Sequence, residues 1–288
     1  MMRRAKGQNL QARRVCIRLY VRKGMYALRN EIFSMEGKNV IFTGGSGWLG
    51  RPMTRALLDY GARVAVISRT DRMGRAFDED RRNGRMIFVH ADLQKTEKIR
   101  KAFSEVREAF GHIDVLINGA ANLGALGEYR LEKVTDEDWA AGVDGILNVP
   151  FRCTREILPY FDAQGGGNIV NIGSMYGFVA PDFDVYGDDV PWNPPSYSAP
   201  KAAVIQFTRY CASALARRNI RVNCLSPGAF PNVHTNEKDF IERLGARAML
   251  KRTGMPEDLN GALLLLCSDA SSFMTGVNLV VDGGLTSW

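Results

Sequence analysis

The stretch IFTGGSGWLG, residues 41–50, runs from apolar residues into a glycine-rich turn and on toward a helical segment. Gly44, Gly45, Gly47 and Gly50 keep side chains away from the point where a strand would hand over to a helix. A turn of this kind gathers backbone N–H groups and the positive end of a helix around one spot, which suits a pyrophosphate. Glycine serves there because a side chain would hold phosphate away from the backbone, and because the turn needs positive φ. Alone the motif is weak, since any α/β protein can carry a glycine-rich turn. Trp48 adds a difficulty, because the commonest version of such a loop has glycine at that position.

Outward from this loop, short apolar runs alternate with longer mixed segments. The runs cover 39–43, 63–68, 86–90, 113–118, 167–173, 220–226 and 277–283. They are rich in Val and Ile with little alternation, as strands buried on both faces are. Helical stretches are predicted at 49–60, 94–110, 135–162, 197–218 and 256–269. Strand and helix in this rhythm predict a Rossmann-like, doubly wound, seven-stranded parallel sheet in a single α/β domain over residues 35–288. Thr135 and Asp138 resemble a capping box, and Pro150 should bend the long helix or mark its edge. Residues 175–195, rich in proline, aspartate and aromatics, break the rhythm.

The formal charge of +7 suggests an anionic partner until it is located. Residues 1–34 hold nine Lys/Arg against Glu31 alone, and the remainder has a net charge of −1. The folded part therefore gives no reason to expect nucleic acid. The basic segment has the arginine content of a transit peptide without its serine content, or else precedes a true start at Met35. No run of about 20 apolar residues occurs, which predicts a soluble protein without a membrane partner. Five scattered cysteines with no CxxC and no nearby histidine argue against a metal site or disulfide framework, and for a reducing cytoplasm.

The second strand ends in VISRT. Sites that select NAD usually carry an acid there, whereas Ser68 and Arg69 suit the extra phosphate of NADP. Downstream, Tyr197 and Lys201 stand four apart, on one helix face, and Ser174 falls just past a strand end. This ordered set resembles the short-chain dehydrogenase/reductase family, and the resemblance covers nearly all of residues 38–288. It is similar to the single-domain branch, including gluconate 5-dehydrogenase-like and 3-oxoacyl-reductase-like members.

The resemblance implies an oxidoreductase that moves a hydride between NADP(H), or NAD(H), and a secondary alcohol or ketone. Tyr197 would be the acid/base and Lys201 would lower its pKa and hold the nicotinamide ribose. Ser174 would orient the substrate oxygen. The glycine loop would place Gly44, Ser46, Gly47, Trp48, Leu49 and Gly50 at the cofactor. HADLQ resembles the segment that contacts adenine, at Asp92 and Leu93, and LINGAA the motif after strand four, at Asn118 and Ala120. SPGAF matches the turn along the nicotinamide, at Pro227 and Gly228. Family members commonly form dimers or tetramers through the helices around 135–162 and 197–218.

Three departures stand out. The loop spacing, with Gly44, Gly47 and Gly50, is that of the extended, epimerase-containing branch. Ile146 falls where the family often has a catalytic Asn, and Asn148 should point elsewhere. Between Ser174 and Tyr197 lie 22 residues, more than is usual. Asp182, Asp184, Asp188, Asp189, Tyr186, Trp192 and Asn193 in that insert either line a site for a polyhydroxylated or cationic substrate or form a solvated or subunit-contacting loop. His90 and His112 read as structural, while His234 falls in an expected lid. Two rival functions follow: an isomerase or lyase with retained nicotinamide, suggested by the spacing, and a non-catalytic cofactor-binding protein, suggested by Ile146.

Overall fold

The computed structural model describes residues 32–121, 130–187 and 190–288. Most of the basic extension, and Asp188 and Asp189 of the insert, lie outside the described residues. The apolar runs form β1 (Asn39–Thr43), β2 (Arg63–Ser68), β3 (Met86–His90), β4 (Val115–Asn118), β5 (Gly167–Ile172), β6 (Ile220–Pro227) and β7 (Asn278–Val281). All pair in parallel, in the order β3-β2-β1-β4-β5-β6-β7. The winding reverses between β1 and β4, so the crevice expected of such a sheet opens at their carboxyl ends.

Every residue of β1 and of β4 is buried, which is why these runs show no polar alternation. Successive β1 side chains serve opposite cores. Ile41 packs with Ile67, Phe103, Ile157 and Val222. Val40 and Phe42 pack with Leu57, Val66, Ile117 and Leu263 on the other face.

The helices are α1 (Gly50–Asp59), α2 (Asp78–Arg82), α3 (Thr96–Phe110), α4 (Asp136–Val143), α5 (Val149–Gln164), α6 (Pro195–Leu215), α7 (Lys238–Arg247) and α8 (Asn260–Cys267). None among the described residues is long and apolar enough to cross a membrane. The single helix predicted over 135–162 is in fact α4 and α5 joined by a π turn at Asp144–Asn148. Pro150 has no N–H to donate, so the helix widens before it, and Val149 N bonds Asp144 O instead. Thr135 caps α4 by accepting from Asp138 N at 3.1 Å.

Two helices had no counterpart in the predicted set. The five residues of α2 carry no apolar period and are held through buried Asp80, which bonds Arg55 at 2.6 Å and also Arg85. In α7 only Phe240 and Leu244 mark an apolar face, against the insert.

Candidate active site

A cleft of about 380 Å³ opens at the carboxyl ends of β1, β2 and β4, within the range of small-ligand pockets. Its floor is the glycine turn. Gly44 has φ +76°, and a Cβ there would lie 2.7 Å from Ala120 N. A Cβ on Gly50 would lie 2.5 Å from Gly44 O. Gly47 differs: within 4 Å its Cβ would meet only Gly44 O, at 3.3 Å, so this part of the loop is open to a ligand.

Thr43 Oγ1 accepts from Gly119 N at 3.2 Å and Ala120 N at 3.3 Å while donating to Ile117 O, locking together the loops after β1 and β4. Ser46 Oγ donates to Thr70 O at 3.0 Å and so fixes the loop to the end of β2. A strand-end turn with open backbone at the start of α1 fits a dinucleotide pyrophosphate.

Gly44, Ser46, Gly47, Trp48, Leu49, Gly50, Ser68, Arg69, Asp92, Leu93 and Ala120 all line this cleft. Arg72 lines it too, a residue the sequence reading missed, three positions beyond Arg69 in the turn after β2. Neither guanidinium has an ion-pair partner among the described residues. Asn118 is buried and does not line the cleft. Its amide donates to Thr154 Oγ1 at 3.2 Å and to Asn171 Oδ1 at 2.9 Å, and Asn171 in turn donates to Thr208 Oγ1. Pro227 and Gly228 end β6 on the same side of the sheet without lining the cleft, and Gly228 N bonds Val281 O at 2.9 Å.

On the same side, α6 presents Tyr197 half-buried and Lys201 buried. Lys201 Nζ donates to Ile172 O at 2.7 Å, two residues before Ser174, and lies 5.7 Å from the Tyr197 ring centroid. That separation is within cation–π reach. Ser174 is buried and caps a short turn, its Oγ accepting from Tyr176 N at 3.2 Å.

Two glycines allow this close approach. A Cβ on Gly177 would lie 2.8 Å from Lys201 O, and one on Gly142 would lie 2.4 Å from Ser196 O. The structure thus brings Ser174, Tyr197 and Lys201 to the carboxyl end of β5, on the same side of the sheet as the cleft. A phenol beside an ammonium can act as proton donor and acceptor to a bound substrate.

Tyr176, which the sequence reading missed, faces Tyr186 with the hydroxyls 2.9 Å apart. Burial pushes both phenols above their ordinary range, so both remain protonated at neutral pH. Ile146 is buried within the π turn, and Asn148 is committed to Asp144 Oδ1 at 3.1 Å.

Asp144 gathers this region. Besides Asn148, it accepts from Gln94 at 2.8 Å and from Arg152 at 2.6 Å, tying the segment after β3 to the π turn. Burial alone would raise its carboxyl, but these hydrogen bonds and the Arg152 charge together hold it below the usual carboxylate range. A depressed folded-state pKa stabilises the fold above the ordinary carboxylate pKa of about 4, and the contribution fades as pH falls through the lower folded value. Asp144→Asn is therefore expected to lower the melting temperature at neutral pH, with the gap to the native chain closing in acid. A gap of the same size at neutral pH and at pH ~3 would contradict this role.

The insert is packed, not merely solvated. Phe183 stacks on Trp192 with centroids 4.4 Å apart, and Trp192 takes Arg130 at 5.5 Å. Tyr186 meets Phe240 of α7 at 5.5 Å, Arg243 Nε donates to Val185 O at 2.8 Å, and Arg247 pairs with Asp182 at 2.9 Å. Asn193 Oδ1 accepts from Ser198 at the start of α6. The segment between Ser174 and Tyr197 is thereby bound to α7. His234 meets Trp48 edge to face, with centroids 5.6 Å apart. Among the described residues no group of three His, Cys, Asp or Glu is placed to hold a metal ion.

The family model described as Enoyl-(Acyl carrier protein) reductase matches residues 47–286. A 3-oxoacyl-[acyl-carrier-protein] reductase of Thermotoga maritima is 32% identical over 255 residues, 87% of this chain and 98% of that protein. A short-chain dehydrogenase of Leptospira borgpetersenii solved with bound NAD+ superposes with a TM-score of 0.79 at 32% identity, covering 90% of this chain and 96% of that one. A gluconate 5-dehydrogenase of Burkholderia cenocepacia in complex with NADP and tartrate gives a TM-score of 0.77 at 28% identity, covering 90% and 98%.

The class is therefore that of nicotinamide-dependent oxidoreductases built on a doubly wound sheet. Within it, the chain belongs to the short-chain dehydrogenase/reductase family, whose enzymes move a hydride between NAD(P) and an alcohol or ketone.

Proposed function

We propose that the protein interconverts a secondary alcohol and a ketone on a sugar-derived substrate, preferring NADP(H). The observation that carries the chemistry is Lys201 Nζ poised between Ile172 O and the Tyr197 ring, beside Ser174. In the oxidative direction the Tyr197 phenolate takes the substrate hydroxyl proton as the carbon gives up its hydride. Lys201 Nζ stands beside that ring, and Ser174 donates to the substrate oxygen as it changes charge. A bound dinucleotide would supply the nicotinamide that accepts the hydride, and the Gly44–Gly47 turn, Leu49, Ser68, Asp92 and Leu93 would hold it. Asn118 would support it, and Pro227 and Gly228 would flank it from the end of β6.

The ordered aromatic cluster of Phe183, Tyr186 and Trp192, in the insert between Ser174 and Tyr197, supports a sugar-type substrate, since exposed aromatic faces pack on apolar C–H faces. The relative solved with NADP and tartrate points the same way. A panel of polyols, sugar acids and 3-oxoacyl thioesters, assayed by nicotinamide absorbance, tests it. The highest kcat/KM should fall on a sugar derivative, and a thioester leading the panel would overturn the substrate class.

Arg69 and Arg72, both exposed and unpaired among the described residues, support the preference for NADP(H). Arg69→Ala is expected to weaken NADPH binding about tenfold and NADH little, as loss of a charged hydrogen bond implies. Equal effects on the two cofactors would refute it.

A homodimer or homotetramer is supported by exposed Trp139, Phe151 and Tyr210 on α4, α5 and α6, the helices expected to pair. A cytoplasmic setting is supported by free, buried Cys153, Cys211, Cys224 and Cys267. Burial pushes the Cys153 and Cys267 thiols up to about 12, which keeps them unreactive.

A further inference from the structure

We propose that Trp48 positions the cofactor: its indole N–H donates to a phosphate oxygen of the bound dinucleotide, and His234 holds the ring in place. The inference rests on the dinucleotide reading of the cleft. Trp48 stands in the turn where the family's common pattern has a glycine, and it lines the cleft. Its Nε1 is buried and has no hydrogen-bond partner among the described residues.

The other buried, unpartnered side-chain atoms belong to Arg81, Asn118, Arg152, Asn168 and Asn260, none of which lines the cleft. A buried donor without an acceptor is costly, so one left at a ligand cleft points to an acceptor brought by the ligand. Indole can only donate. At a glycine turn opening a helix, the acceptor that complements the local field is an anionic phosphate oxygen.

The ring is also fixed from above. His234 meets it at an interplanar angle of 87°, and the histidine's own backbone is held by Asn232, whose Oδ1 accepts from His234 N at 3.0 Å. Asn232 O accepts from Thr235 N, completing the turn. The contact joins the dinucleotide loop to the segment following β6, so that occupancy of one bears on the placement of the other.

Calorimetric titration of the full chain with ADP-ribose, which carries the pyrophosphate, and with adenosine 2′-monophosphate, which lacks it, tests the assignment without turnover. Trp48→Phe keeps a ring and removes the N–H. It is expected to weaken ADP-ribose about tenfold and leave the monophosphate unchanged. His234→Ala should weaken ADP-ribose by a smaller factor, about threefold, as loss of an aromatic contact implies.

Unchanged ADP-ribose affinity in Trp48→Phe overturns the proposal, as does equal weakening of both ligands, which would make Trp48 a stacking surface for adenine. If native protein binds neither ligand, the dinucleotide reading itself fails. Should the variant not fold, the native chain labelled with 15N-indole answers the question. One indole N–H resonance should move downfield with ADP-ribose and not with the monophosphate, and no such movement contradicts the bond.

Discussion

Tyr197→Phe should lower kcat by about two to four orders of magnitude, the usual loss when a general acid/base is removed. Dinucleotide affinity and melting temperature should stay close to native. The substitution deletes one hydroxyl from a half-buried ring and leaves the ring itself beneath Lys201 Nζ, so packing along α6 is retained. The loss should also be in kcat at every pH, because phenylalanine has no hydroxyl to exchange a proton with the substrate. Steady-state rates with the best substrate of the panel, together with a thermal melt, check both halves. A variant within tenfold of native turnover would remove Tyr197 from the chemistry.

Gly44→Ala is expected to act on the fold and the cofactor together. Gly44 has φ +76°, and its Cβ would fall 2.7 to 2.8 Å from backbone atoms of Gly119 and Ala120. Backbone cannot swing aside as a flexible side chain can. Strain at positive φ and the overlap together should cost about 3 kcal/mol. Moving the Ala120 strand-end loop to make room also pulls on the Thr43 hydroxyl that ties it down. Denaturant unfolding should show the loss, and dinucleotide titration should show binding abolished.

Gly47→Ala is the contrast, with negative φ and only Gly44 O within reach at 3.3 Å. It should fold nearly as well as the native chain and lose affinity alone. Similar stability losses at both positions would mean that the turn does not have this shape.

The strands were legible because burial on both faces writes itself into the sequence as unbroken Val and Ile. β1 and β2 match the predicted bounds residue for residue, while β4 and β7 are shorter at their ends. The 135–162 segment was less legible. Its apolar positions fit one helix, and only Pro150 hints that a π turn lies just ahead of it. That turn is held by Asp144, whose partners come from as far away as Gln94, and no local pattern announces a pairing across 50 residues.

Ser174, Tyr197 and Lys201 were singled out by their order along the chain and the family resemblance it carries, because strand end and helix face are local features. Arg72 and Tyr176 could not be. Arg72 reaches the cleft through the turn after β2, and Tyr176 gains its place from Tyr186, ten residues on in an insert without periodicity. The insert itself, readable equally as a substrate wall or a solvated loop, packs on α7 through Phe240 and Arg247.

This chain transfers a hydride. The most direct measurement incubates it with NADPH deuterated at the transferable position of either nicotinamide face and a ketone derived from its best alcohol substrate. One face should deliver a single deuterium to the product carbon, with one NADP+ formed per product. Product formed without net oxidation of the cofactor, or no deuterium from either face, would contradict the account.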